Sequence, residues 1–311
     1  MERASLRKAY GKTLTELGEK YDNIIAMDAD LSCSTQTKMF GQKFPNRFFN
    51  MGIAEQNMIG VASGLALSGK IVFVSTFAVF ATGRVYDQIR QSVCYPKLNV
   101  KIVATHGGLT VGKDGASHQM LEDLALMSSL PNMRVIVPAD ALETESVIKN
   151  IVEMDGPVYV RLSRDTLPVI TNGEFTLGKG RILKDGEDIT IVSTGTMSYY
   201  ALEAAENLKS EGISARVINM ATIKPIDKDI IIKAAKETAG IITVEEHNIY
   251  NGLGSRVAEV VSENYPTLIK RIGVNDTFGE SGEPSDLLIK YGLSTENIIK
   301  NVKELLTEVK K

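Results

Sequence analysis

The chain has 311 residues, 43% hydrophobic and 23% charged, which is enough for about two domains with real cores and no covalent staples. Its 35 basic and 38 acidic side chains leave a formal net charge of −3, so there is no overall electrostatic pull toward nucleic acid or an anionic membrane. Two cysteines, Cys33 and Cys94, are too few for a disulfide framework or a cysteine zinc site.

The N-terminus lacks the apolar stretch of a signal peptide, and no run approaches the ~20 apolar residues of a membrane span. A reducing, cytoplasmic setting is therefore expected, with both cysteines as free thiols. Leu6, Tyr10, Leu14 and Leu17 recur at helical spacing and predict an amphipathic first helix. Short β-branched runs then alternate with helical periods: 24–27, 71–75, 100–105, 134–137 and 158–162, followed by 189–193, 216–219, 241–244 and 269–274. Runs that are apolar on both faces belong to parallel sheets covered by helices, so the class is α/β with two open, doubly wound, mostly parallel sheets. A last helix is expected through Ile298, Val302, Leu305 and Val309. Between Pro168 and Asp188 the chain turns Gly- and charge-rich, which places domains at 1–172 and 188–311 with a linker at 173–187.

In open α/β sheets ligands bind outside the carboxyl ends of the strands, so the residues after each strand carry the functional reading. After the first strand come Asp28, Asp30 and Ser34. After the second come Phe77 and Phe80, three residues apart, a spacing that suits a core pair as well as a ligand platform. After the third lies Thr105-His106-Gly107-Gly108-Leu109-Thr110-Val111-Gly112-Lys113-Asp114-Gly115-Ala116-Ser117-His118-Gln119, expected as a long loop without secondary structure. Its glycines allow close backbone approach, and His106, Asp114 and His118 offer hydrogen-bonding and proton-transfer groups. The competing reading is a surface excursion with solvated histidines. Two histidines and an aspartate at this spacing match no common metal-ligand pattern, so no metal site is assigned to the chain. After the fifth strand, Arg161 and Arg164 suit a phosphate, or else a surface ion pair. Glu55 heads a run of small and apolar residues, Gly52 to Leu67, either as a helix-start charge or as a carboxylate in a dry site that exchanges a proton with a ligand nitrogen. Glu245-Glu246-His247 and the nearby glycines fail the dinucleotide fingerprint and read as structural or as an interface.

Together these motifs resemble the C-terminal half of transketolase, in the form where the enzyme is split into two polypeptides, and the resemblance runs from Arg7 to the last helix. It implies a pyrimidine-binding domain followed by a transketolase C-terminal domain, thiamine diphosphate as cofactor, and transfer of a two-carbon ketol unit from a ketose phosphate to an aldose phosphate. Gly52-Ile53-Ala54-Glu55-Gln56 is similar to the segment whose glutamate bonds the aminopyrimidine N1′, so the resemblance makes Glu55 catalytic and cofactor-binding. It places Phe77, Phe80 and Asp30 at the cofactor. His106 and His118 enter as catalytic and substrate-binding, and Asp114 faces the donor C2 hydroxyl. Arg7, Ser34 and Arg164 surround the sugar phosphate. The chain departs from full-length relatives in reading Ala54 and Gln56 for Arg and His, and in having Gly83 where a third aromatic would close the pyrimidine pocket, which leaves that pocket looser.

The family's Gly-Asp-Gly diphosphate motif is missing, so the resemblance implies a partner subunit carrying that domain and the Mg²⁺ ligands. The two chains would form a heterotetramer with self-association, acting on sugar phosphates. Deoxyxylulose phosphate synthase shares Gly-Ile-Ala-Glu-Gln but not Thr105-His106 with Arg161-Leu162-Ser163-Arg164. A 2-oxoacid dehydrogenase β subunit would lack the sugar-binding set, and a non-catalytic regulatory or assembly paralogue is the alternative of another class.

Overall fold

The computed structural model describes residues 2–309; Met1, Lys310 and Lys311, which the expected domain bounds include, lie outside them. Through these residues run strands β1 (Arg3–Ser5), β2 (Ile24–Asp28), β3 (Phe48–Asn50), β4 (Ile71–Ser75), β5 (Val100–Thr105), β6 (Arg134–Ile136) and β7 (Val158–Leu162). They continue with β8 (Thr166–Pro168), β9 (Arg181–Lys184), β10 (Ile189–Ser193), β11 (Ala215–Asn219), β12 (Thr222–Lys224), β13 (Ile241–Asn248) and β14 (Ile269–Val274).

They form a seven-stranded sheet in the order β12-β6-β7-β5-β4-β2-β3 and a five-stranded sheet in the order β14-β13-β10-β11-β9. All neighbours in the first are parallel except β12 with β6, and all in the second except β9 with β11. This is the expected mixed α/β architecture with mostly parallel sheets. Parallel neighbours need crossover connections, so every strand from β2 to β7 ends on the same sheet edge.

The apolar periodicity of the first helix, Leu6–Lys20, does its work here. Leu6, Tyr10, Leu14 and Leu17 are buried with Val147, Ile148 and Ile151 of the Ala141–Ile151 helix against one face of the first sheet. On the other face, Met58, Ile59 and Ala62 of the Glu55–Leu67 helix pack on Val72, Val74 and Ile102. Each such aliphatic side chain contributes roughly 1.5–3 kcal/mol of burial. In the last helix, Thr295–Val309, Ile298, Val302 and Leu305 are buried, whereas Val309 is exposed, because the helix outruns the domain it covers.

The stretch expected as a linker and the boundary between the two bodies carry structure of their own. The stretch 173–187 is more than a linker: β9 pairs antiparallel with β11 and closes an edge of the second sheet. Its alternating, half-exposed pattern lacks the continuous apolar run that marks a central strand. In turn β12 leaves the second domain to pair with β6 in the first sheet. One apolar cluster spans both bodies, joining Val72, Ile102 and Val135 to Ile218, Met220 and Val257. The buried Glu143 carboxylate accepts from the Asn219 amide across the same boundary at 2.9 and 3.0 Å.

A strand exchanged between sheets and a shared core couple the two bodies. The chain is expected to unfold in one calorimetric transition whose van't Hoff and calorimetric enthalpies agree. Two separated endotherms would show the bodies to be independent.

Candidate active site

Buried Asp28, the last residue of β2, shapes the first loop. Its carboxylate accepts from Leu31 N at 2.6 Å, Thr35 Oγ1 at 2.6 Å and Thr37 Oγ1 at 2.9 Å, bonds that partly offset the upward push of burial on its pKa. The turn so formed puts Asp30 at φ 65°, exposed, with its N–H on Asn50 Oδ1 at 3.1 Å. Asn50 Oδ1 also accepts from Gly52 N at 3.0 Å, which joins Asp30 to the segment leading into Glu55.

Glu55 opens the Glu55–Leu67 helix and is 2% exposed. Its Oε2 accepts from Arg84 Nη1 at 2.9 Å, and the Arg84 guanidinium lies 4.4 Å from the centre of the Phe80 ring. Arg84 did not enter the sequence reading. The available signal was its spacing, four residues beyond Phe80.

Phe77 and Phe80 stack with centroids 6.0 Å apart. Phe77 also stacks on the His106 ring at 3.7 Å, and Phe80 meets the His118 ring edge-on at 5.5 Å. The phenylalanine pair is therefore both packing and ledge, and it brings β4 and both ends of the 105–119 segment together.

His106 is buried at φ 61°, a region costly for a side chain with a Cβ. The following residue must be glycine, since a Cβ on Gly107 would stand 2.0 Å from Arg161 Nε. His106 Nδ1 shares a hydrogen bond with Thr105 Oγ1 at 2.8 Å. Burial, and then the charges of Arg7, Arg164 and His118, push its pKa down to about 3. Its ring is therefore a neutral hydrogen-bonding group at physiological pH. His118 is half-buried, with Nδ1 2.9 Å from Ser117 Oγ. The segment between the histidines was expected without secondary structure, but it holds a 3₁₀ helix, Leu109–Asp114, kinked at Gly112.

The arginines divide. Arg164, partly exposed, bonds the Val111 carbonyl and lies 3.4 Å from Asp114 Oδ2. Arg7, at the start of the first helix, donates through Nε to Arg164 O at 3.1 Å and through Nη1 to Ser34 O at 2.9 Å. Burial and the adjacent Arg164 charge lower the Arg7 pKa, and that repulsion would be relieved by an anion bound between them. Arg161 corrects its reading as a phosphate ligand or surface pair. It is buried, with Nη2 on Glu246 O at 2.7 Å and Nε 3.5 Å from Asp123 Oδ2, and it faces the second domain. Strand pleating explains the difference, since residues three apart across the end of β7 point to different surroundings.

Every residue singled out for the site thus lies along the carboxyl edge of the first sheet. A carboxylate, an aromatic pair, two imidazoles and two neighbouring guanidiniums converge there. Among the described residues, no group of three or more His, Cys, Asp or Glu is arranged to hold a metal, and no helix is long and apolar enough to cross a membrane.

Residues 2–169 match the family model of the transketolase pyrimidine binding domain, and residues 178–298 match that of the transketolase C-terminal domain. The chain is 56% identical to a putative transketolase C-terminal section from Methanocaldococcus jannaschii, over 96% of this chain and 95% of that one. It is 42% identical to a 6-deoxy-6-sulfo-D-fructose transketolase subunit from Clostridium sp. strain MSTE9, over 98% and 95%. A solved structure of a split-gene transketolase, an inactive β4 tetramer, superposes with a TM-score of 0.92 at 54% identity, covering 98% of this chain and 99% of that one.

Because His106 titrates near pH 3, its ring C–H resonance is expected to stay fixed between pH 5 and 8 in a selectively labelled sample. A titration midpoint inside that window would contradict the neutral-donor geometry.

Proposed function

The chain belongs to the transketolase family, and we propose that it is the catalytic-glutamate subunit of a two-chain transketolase that moves a ketol unit from a ketose phosphate to an aldose phosphate. The observation that carries this reading is the meeting of Phe77, Phe80, His106 and His118 on one sheet edge through ring contacts, with Glu55 joined to Phe80 through Arg84. The family implies thiamine diphosphate, which when bound supplies the carbon nucleophile.

The residues present fit one part of that cofactor. A stacked phenylalanine pair beside a buried carboxylate suits a flat, nitrogen-bearing ring. Glu55 would hold a proton at the ring nitrogen N1′, with Arg84 giving up the carboxylate as the ring enters. Asp30 would stand at the cofactor's edge. His118 and Asp114 would orient the donor's first two hydroxyls, and neutral His106 would offer a hydrogen bond. Arg164, Arg7 and Ser34 would take the phosphate, because adjacent guanidiniums bind it with paired charge-assisted bonds.

Nothing in the site fits the diphosphate and its Mg²⁺, and the reading assigns both to a partner subunit carrying Gly-Asp-Gly. The outer face of the Glu55–Leu67 helix supports a partner there. Ile53 and Leu67 are 77% and 73% exposed, Val61 is also exposed, and Gly60 and Gly64 open onto free space. Beyond the exposed Gln56 and Asn57 of its first turn, a solvent side carrying such aliphatics calls for a cover. The reading extends to a heterotetramer of two chains of each kind, in a cytoplasmic setting.

The chain alone is expected to show no ketol transfer from xylulose 5-phosphate to ribose 5-phosphate, and the Gly-Asp-Gly partner with thiamine diphosphate and Mg²⁺ to restore it. Turnover by the isolated chain would overturn the two-subunit reading. In the assembled enzyme, Glu55→Gln should lower kcat by about 10²–10⁴-fold while sedimentation shows assembly unchanged. Arg164→Ala should raise KM for phosphorylated ketoses by about tenfold or more and leave unphosphorylated ones within about threefold. Equal effects on both classes would remove Arg164 from the phosphate.

A further inference from the structure

Resting on the reading that the 105–119 segment meets the sugar, we infer that Glu246 is its positioning residue: a carboxylate of the second domain that sets where His106, Asp114 and His118 stand without itself touching substrate. The first turn of the 3₁₀ helix Leu109–Asp114 presents N–H groups that have no partner within the helix. Glu246 Oε1 takes the Thr110 N–H at 2.6 Å, across the domain boundary. The approach is so close that a Cβ on Gly108, which stands at φ +88°, would lie 2.3 Å from the Glu246 carboxylate.

The main chain of Glu246 grips the other side of the same turn. Its carbonyl accepts from Arg161 Nη2 at 2.7 Å, and Arg161 fills the space that Gly107 leaves empty. The His106-Gly107-Gly108 turn is thus enclosed between a side chain and a guanidinium that Glu246 holds at once. Its neighbours on β13 act elsewhere. Glu245 accepts from Leu253 N at 2.7 Å and Gly254 N at 2.8 Å at the head of the Leu253–Asn264 helix, and His247 Nε2 accepts from Ala125 N at 3.4 Å.

The second domain also holds the rest of the segment. Ser281 Oγ donates to Lys113 O at 2.6 Å, Lys113 Nζ pairs with Glu283 at 2.7 Å, and Gln119 Nε2 donates to Glu280 O at 2.9 Å. Start, tip and end are fixed from outside the sheet that carries the site, and Glu246 is the hold nearest to His106. This gives the C-terminal domain a part in the reaction although it contributes no reacting group.

The experiment compares Glu246→Ala, Glu246→Gln and Ser281→Ala. Amide hydrogen exchange is read on the full chain, and steady-state kinetics on the two-chain enzyme with thiamine diphosphate and Mg²⁺. Glu246→Ala should raise exchange across 109–119 by about tenfold or more while the strand cores stay protected, and should raise KM for phosphorylated and unphosphorylated ketoses alike by about tenfold. Glu246→Gln keeps an oxygen for the Thr110 N–H and should recover both to within about threefold. Ser281→Ala removes an exposed hydroxyl and should loosen exchange in 109–119 with kinetics within about threefold.

The inference fails if Glu246→Ala leaves exchange in 109–119 at the wild-type level, if it lowers protection uniformly through both domains, or if Glu246→Gln is as damaged as Glu246→Ala. Should Glu246→Ala not fold, an unchanged 109–119 in Ser281→Ala overturns the claim that the second domain holds the segment. Absence of ketol transfer by the wild-type pair would defeat the functional reading alone, since the exchange pattern decides the positioning independently.

Discussion

A guanidinium sealed between two domains sets the terms for everything around it. Arg161, the penultimate residue of β7, is buried, and a buried unpaired guanidinium would cost several kcal/mol. Its partners come from separate segments: the Glu246 carbonyl on β13 at 2.7 Å, and at 3.5 Å both the Asp123 carboxylate at the start of the Asp123–Ser129 helix and Met120 O. Asp123 is fixed in turn by Tyr159, whose hydroxyl donates to it at 2.6 Å. Two of these partners lie in the first domain, and the closest, the Glu246 carbonyl, comes from the second, so the guanidinium has its full set of acceptors only when the second domain is seated. The packing of Gly107 and Gly108 follows, because the backbone there runs against Arg161 and Glu246 with no room for a side chain.

From this seating comes the geometry of the edge. Parallel strands deliver their carboxyl ends to one side, but strand ends alone do not place a side chain to within an ångström. Here the loops are fixed by contacts that have little to do with the sheet: buried Asp28 winding the first loop, Phe77 stacked on His106, and the second domain holding 109–119. The side of the edge beyond Glu55 is finished differently. It runs into a helix whose outward residues, after Gln56 and Asn57 in the first turn, include Gly60, Val61, Gly64 and Leu67.

Much of this was legible in the chain. Eight inner strands and the edge strand β14 announce themselves as β-branched runs because a parallel sheet covered by helices buries its strands, and the two terminal helices because one face is buried. The short strands β1, β3, β8, β9 and β12 were not visible. They have three or four residues, sit at edges, and take their pairing from partners far away in sequence, such as Arg3 with Pro168 or Thr222 with Ile136. The site was legible in part for a related reason. Residues after strands could be read as a set, but Arg161 and Arg164 look alike in sequence, and which of them is buried depends on the domain that packs against β7. Arg84 was missed because a lone arginine in a turn carries little pattern of its own. Its meaning lies in a carboxylate 29 residues earlier.

The near-neutral composition takes on a sharper meaning at this edge. Arg7 and Arg164 stand close enough that burial and mutual repulsion lower the Arg7 pKa, so a third positive charge beside them would be costly. His106 is the group that could supply one, and burial with those same arginines holds its pKa at about 3. Two fixed cations with a neutral imidazole are the arrangement that the proposed phosphate role of Arg7 and Arg164 would call for, in a chain whose formal net charge is −3.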